Sequence, residues 1–119
     1  MRRPAGLSHR FIQYSGRLYT SSIVLSELYA GAFLLPDPEK RLSEIRELLT
    51  AIRIINFGPE EAETFGQIRG ELGPKGKTIN PLDLQIGATA RTHNFTIVTH
   101  NVKHFEAIPG LRIEDWLSP

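Results

Sequence analysis

No cysteine occurs in the chain, which excludes disulfides, thiolate metal sites and cysteine nucleophiles and fits a reducing compartment. Long apolar runs are missing as well. None approaches the roughly 18 residues that a membrane-spanning helix needs, and the opening M-R-R-P-A-G-L-S-H-R lacks the apolar segment of a signal peptide. A cytoplasmic protein without a membrane partner is expected. Excess charge is also absent: a net charge of +1 gives no global signature of nucleic-acid binding and leaves any such binding to local patches. With 119 residues there is room for one domain, spanning 1–119, around one core. A hydrophobic share of 40% beside 23% charged residues is that of an ordinary globular chain. No internal repeat, low-complexity tract or linker divides it.

Helix punctuation and apolar spacing give the elements. Asp37-Pro38 reads as an N-cap followed by proline at the first helical position, and Leu42, Ile45, Leu48, Leu49 and Ile52 recur at helical spacing, which predicts a helix over roughly 38–51. R-I-I-N-F (53–57) is a β-rich run closed by Gly58-Pro59. Ala62, Phe65, Ile68 and Leu72 then mark a second amphipathic helix ending near Gly73. G-P-K-G-K is a loop, Asn80-Pro81 caps a third helix, and F-T-I-V-T (95–99) is a short buried strand. Near the front, R-L-Y-T-S predicts a strand running into a helix capped by Ser21 or Ser22, and L-R-I near 112 predicts a last strand. A-G-L-S-H-R-F-I-Q-Y (5–14) reads as a helix. Strands alternating with helices imply an α/β domain, a mainly parallel sheet covered on both faces, with four strands.

Two isolated acids carry the functional signal. Glu27 is the only charge between Arg17 and Asp37, on a helix face shared with Ile23, Val24, Ala30 and Gly31. Asp83 lies in N-P-L-D-L-Q-I-G-A-T-A-R-T with Ile86, Gly87 and Ala90 on its face. At the third helical position Asp83 could simply favour the helix dipole and complete a cap, and Glu27 could pair with a distant arginine. Together, however, two carboxylates near helix starts at one edge of an α/β sheet suit a hard cation such as Mg²⁺ or Mn²⁺, and hence phosphodiester chemistry. H-N-V-K-H-F follows the buried strand at that same edge. There Asn101 could orient a water, Lys103 and Arg112 could meet phosphate, and His104 could contact substrate. A zinc site at His100 and His104 has little support, since two ligands are not a site. G-E-L-G-P-K-G-K-T is not a phosphate-binding P-loop, because the first required glycine falls on Glu71 and the segment follows a helix; Lys75 and Lys77 are read as loop residues. No serine sits in a nucleophile-elbow context.

L-Y-T-S-S-I-V-L-S-E-L-Y-A-G-A, I-N-P-L-D-L-Q-I-G-A-T-A, F-T-I-V-T-H-N-V-K-H-F and I-P-G-L-R-I-E-D-W, in this order, resemble the PIN-domain family, and within it the VapC-type toxins of bacterial toxin–antitoxin pairs. The resemblance covers roughly residues 5–117. It implies a three-layer α/β/α fold with a five-stranded parallel sheet. It further implies an endoribonuclease using Mg²⁺ or Mn²⁺ held by acids, with RNA as substrate and a VapB-type antitoxin as partner; a homodimer is expected. By position, Glu27 matches the acid of the S-E-L motif and Asp83 the acid at the N-x-x-D helix start. Asn101 is the nearest match to a further, variable acidic region. Family members begin with a central strand ending in an aspartate, commonly within D-T-N, which has no counterpart here. An N-terminally truncated PIN-like domain is therefore expected, with four strands, an unfilled sheet centre and two carboxylates at the metal site. A catalytically impaired module that binds an antitoxin or itself is the alternative. A nucleotide-binding α/β domain is disfavoured, because no glycine-rich strand-to-helix turn is present.

Overall fold

The computed structural model describes residues 11–14, 17–76, 78–99 and 101–115. Strand β2 (Arg17–Ser21) follows β1 (Phe11–Tyr14), and its last residue caps helix α1 (Ser22–Phe33), the Ser21 hydroxyl accepting from the Ile23 N–H at 2.9 Å. Helix α2 (Glu39–Ala51) buries Leu42, Ile45 and Leu48. Its cap falls one residue later than expected: Pro38 takes the capping position in a helical conformation, and Asp37 reaches the Glu39 N–H at 3.4 Å. Strand β3 (Arg53–Ile55) leads to α3 (Pro59–Leu72), which buries Glu61, Ile68 and Leu72, whereas Ala62 from the expected stripe is exposed. Helix α4 (Pro81–Thr92) is capped by Asn80, whose side-chain oxygen accepts from the N–H groups of Leu82 (2.9 Å) and Asp83 (3.4 Å). Strands β4 (Thr96–Val98) and β5 (Arg112–Glu114) complete the sheet.

The sheet has five strands in the order β3-β2-β1-β4-β5, one more than expected. Four run parallel to one another, while central β1 is antiparallel to both neighbours, Ile12 standing opposite Tyr19 on one side and Ile97 on the other. The sheet centre is thus filled, and residues 11–14 form a strand where a helix was expected. The rest of that expected helix, 5–10, lies outside the described residues. Two flanking strands offer unpaired N–H and C=O groups on both sides of the slot, and satisfying them outweighs a local helical preference. The sequence held a usable signal: F-I-Q-Y is β-branched and aromatic, and Ser15-Gly16 follows it as a turn pair.

Alternation sorts the strands between two faces. Ile12 and Ile97 join the larger core with Ile68 and Leu72 of α3 and Leu84, Ile86, Ala88 and Ala90 of α4. Leu18 and Val98 face the other way, against Leu48 and Ile52 at the end of α2. The result is the three-layer α/β/α arrangement, each fully buried Ile or Leu contributing about 1.5–3 kcal/mol. No helix among the described residues is long and apolar enough to cross a membrane.

Candidate active site

Asp83 occupies the first turn of α4, where the helix dipole favours a carboxylate, and only 7% of it is exposed. It opens onto a cleft of about 290 Å³ whose walls include Thr78, Ile79, Asn80, Lys103 and His104. The opposite wall is a short 3₁₀ turn, Val102–His104, held by the His104 N–H donating to the Asn101 carbonyl (3.0 Å) and anchored by the fully buried Phe105. Ile108, just beyond, packs on α4 at Gly87, where any Cβ would overlap its side chain. The lack of a side chain at Gly87 therefore lets the turn approach the helix closely. His104 Nδ1 stands 3.2 Å from Asp83 Oδ2, with the His104 side chain about half exposed.

Of the site residues expected from sequence, Asp83, Lys103 and His104 share this cleft. Asn101 is exposed and outside its lining, its N–H donating to the Thr99 hydroxyl at 3.0 Å. Glu27 is half-buried on α1, a helix that packs against α4, and also lies outside the lining. Arg112 donates to the Asn94 side chain at 2.8 Å. Lys75 is exposed on a second 3₁₀ turn, Gly73–Lys75, while His100 and Lys77 lie outside the described residues. Among the described residues no group of three or more His, Asp or Glu side chains is gathered closely enough to hold a metal ion.

A second carboxylate–histidine pair escaped the sequence reading. Glu61, 6% exposed in the first turn of α3, accepts from the Gly58 N–H at 2.9 Å through Oε1, while His93 Nε2, just past α4, stands 2.7 Å from its Oε2. Burial disfavours the ionised carboxyl. The backbone N–H groups of Glu61 and Gly58 and the His93 ring outweigh that effect, so the acid ionises below its ordinary value of 4.5. Ten residues, about 15 Å of helix, separate His93 from Asp83. E-E-A-E after Gly58-Pro59 marked a helix start, but nothing in the sequence linked Glu61 to a residue 32 positions away.

An acid at a helix start, beside a cleft at the strand ends of a three-layer α/β/α sheet, is the arrangement of a PIN domain. The PIN domain pattern matches residues 2–111, and the chain belongs to that family. Its similarity within the family is to VapC-type proteins. It is 37% identical over 116 residues to "Ribonuclease VapC2" of Haemophilus influenzae, covering 98% of this chain and 88% of that protein. It is also 37% identical to "tRNA(fMet)-specific endonuclease VapC" of Shigella flexneri over 96% of this chain and 86% of that protein. A chain in the crystal structure of VapBC2 from Rickettsia felis, bound to a DNA fragment from its promoter, matches with a TM-score of 0.76 and 38% identity, covering 81% of this chain and 72% of that one. One in VapBC-1 from nontypeable Haemophilus influenzae matches with a TM-score of 0.81 and 29% identity over 89% and 79%.

Proposed function

We propose that this chain is a divalent-metal-dependent endoribonuclease, the toxin of a toxin–antitoxin pair, acting at the cleft beside Asp83. The observation that carries the reading is the nearly buried Asp83 carboxylate at the start of α4, facing the same cleft as Lys103 and His104. A carboxylate at the edge of an open cleft suits a cation that keeps several waters and takes few protein ligands, as Mg²⁺ or Mn²⁺ does. Asp83 would hold that ion, with Glu27 as the second carboxylate and Asn101 positioning water, the roles implied by the family motifs. When bound, the ion supplies an activated water and neutralises charge developing on the phosphate. Lys103 offers its ammonium to a phosphate oxygen of the RNA and so seats the backbone against Asp83. The names of the relatives, ribonucleases and VapBC complexes, support RNA as the substrate and a VapB-type antitoxin as the partner; a homodimer belongs to the same proposal.

The test is cleavage of RNA by the purified chain with Mn²⁺ or Mg²⁺. Asp83→Asn is expected to lower the rate by about 100-fold or more while the fold persists. RNA left intact by the parent chain under all divalent ions, together with tight binding of an antitoxin, would favour a second reading, that of an inactive interaction module. That reading draws on the absence of a three-ligand cluster among the described residues.

A further inference from the structure

We infer that His104 is the base-stacking residue of the cleft: its imidazole ring takes the face of one unpaired RNA base, while neighbouring Lys103 holds the phosphate of the same nucleotide. This rests on the reading of RNA as the substrate and deepens it. The ring is held in place from two sides. Its Nδ1 contacts Asp83 Oδ2 at 3.2 Å, and the backbone beneath it is a 3₁₀ turn closed by the His104 N–H on the Asn101 carbonyl and anchored by buried Phe105. Contact with a nearly buried carboxylate restricts the ring torsions, yet about half of the side chain stays in solvent. The ion-pair contact therefore orients a flat surface in advance, so that little freedom is lost when a base settles on it.

The rest of the lining suits a nucleotide. Ile79, packed against the larger core, and half-buried Ala107 add apolar surface to the same cleft as the ring. Asn80 has its side-chain oxygen committed to the α4 cap, which leaves its amide N–H groups for an acceptor on a base edge. A volume of about 290 Å³ is at the small end of ligand sites, which run from roughly 300 Å³ upward, and matches one nucleotide rather than a duplex step. Phosphate and base of that nucleotide meet partners on consecutive residues of one turn, Lys103 and His104. Stacking on an aromatic side chain tolerates any base and selects unpaired ones, because a base inside a duplex has both faces covered by its neighbours.

Fluorescence-anisotropy titration of the full chain with a labelled, unstructured RNA hexanucleotide in EDTA tests this, alongside versions of the strand made abasic at each position in turn. The parent chain is expected to bind one of the abasic versions about 5- to 100-fold more weakly than the intact strand. His104→Ala should lose a similar factor on the intact strand and no longer distinguish that version. His104→Phe, which keeps a flat face and no ring nitrogen, should restore affinity and discrimination to within about threefold of the parent. Both variants remove the partner of Asp83, so the difference between them reports the ring face alone. An unchanged His104→Ala, a His104→Phe as weak as His104→Ala, or a parent indifferent to every abasic position overturns the inference and leaves the RNA reading standing. No binding and no cleavage of RNA by the parent chain overturns the two together.

Discussion

Helix α4 carries a carboxylate–histidine pair at each end, and the two sit in different surroundings. At its start, Asp83 and His104 meet at 3.2 Å beside an open cleft; past its end, His93 meets Glu61 at 2.7 Å against the packed start of α3. The partners are chemically alike. Their surroundings differ: Glu61 also receives backbone N–H groups at its own helix start, which holds its charge in place and ties α3 to α4. Asp83 instead shares an open cleft with the Lys103 ammonium and the His104 imidazole. A carboxylate–histidine contact is therefore no sign of catalysis by itself; what it opens onto decides.

Substitutions should separate the two ends. The largest effect is expected from Asp83→Asn, with RNA cleavage down by about 100-fold or more and unfolding free energy changed by less than about 1 kcal/mol. A loss of stability matching the loss of activity would place Asp83 with Glu61 as a structural acid. Glu61→Ala should show the reverse pattern. It strips the cap from the Gly58 N–H and the partner from His93, so denaturant unfolding should report a loss of about 1–3 kcal/mol, with metal binding at the cleft unchanged.

Gly87→Ala tests the link between them, the close contact of α4 with the segment carrying His104. Overlap with the Ile108 side chain should cost about 1–3 kcal/mol in unfolding free energy, with RNA cleavage falling alongside, a loss of activity absent in Glu61→Ala. Acid gives a smaller signal. Because Glu61 ionises below 4.5 in the folded state, its contribution is fully present above that value and is lost as pH falls through the lower, folded value. Chemical denaturation from pH 6 downward should show this loss in the parent chain, and Glu61→Gln should flatten it. The smallest change is expected for Lys103→Ala, a severalfold weaker RNA affinity with the salt dependence reduced by about one phosphate contact.

Local rules located much of this molecule in the sequence. Ser21 and Asn80 were legible as caps because a helix start leaves N–H groups that only nearby side chains can meet. Leu42, Ile45 and Leu48 announced their helix by spacing, and Asp83 stood out because an isolated acid on an apolar face needs a reason. The family motifs added a fold and a chemistry that periodicity alone would not have supplied. His104 was visible only as a possible contact, since its meeting with Asp83 spans 21 positions and depends on Phe105 being buried and Gly87 lacking a side chain.

The sequence by itself determined the alternation of strands and helices, the caps, the family and the two acids worth suspecting, because each is written within a turn or two of chain or within a short motif. Only the tertiary structure decided that Phe11–Tyr14 lies as an antiparallel strand at the sheet centre, that Glu61 belongs to His93, and that His104 rather than Asn101 faces Asp83. Those outcomes depend on which backbone edges and side chains the packing leaves facing one another. A strand's unpaired hydrogen-bonding groups and the partner of a buried charge are satisfied across space, where sequence distance carries no information.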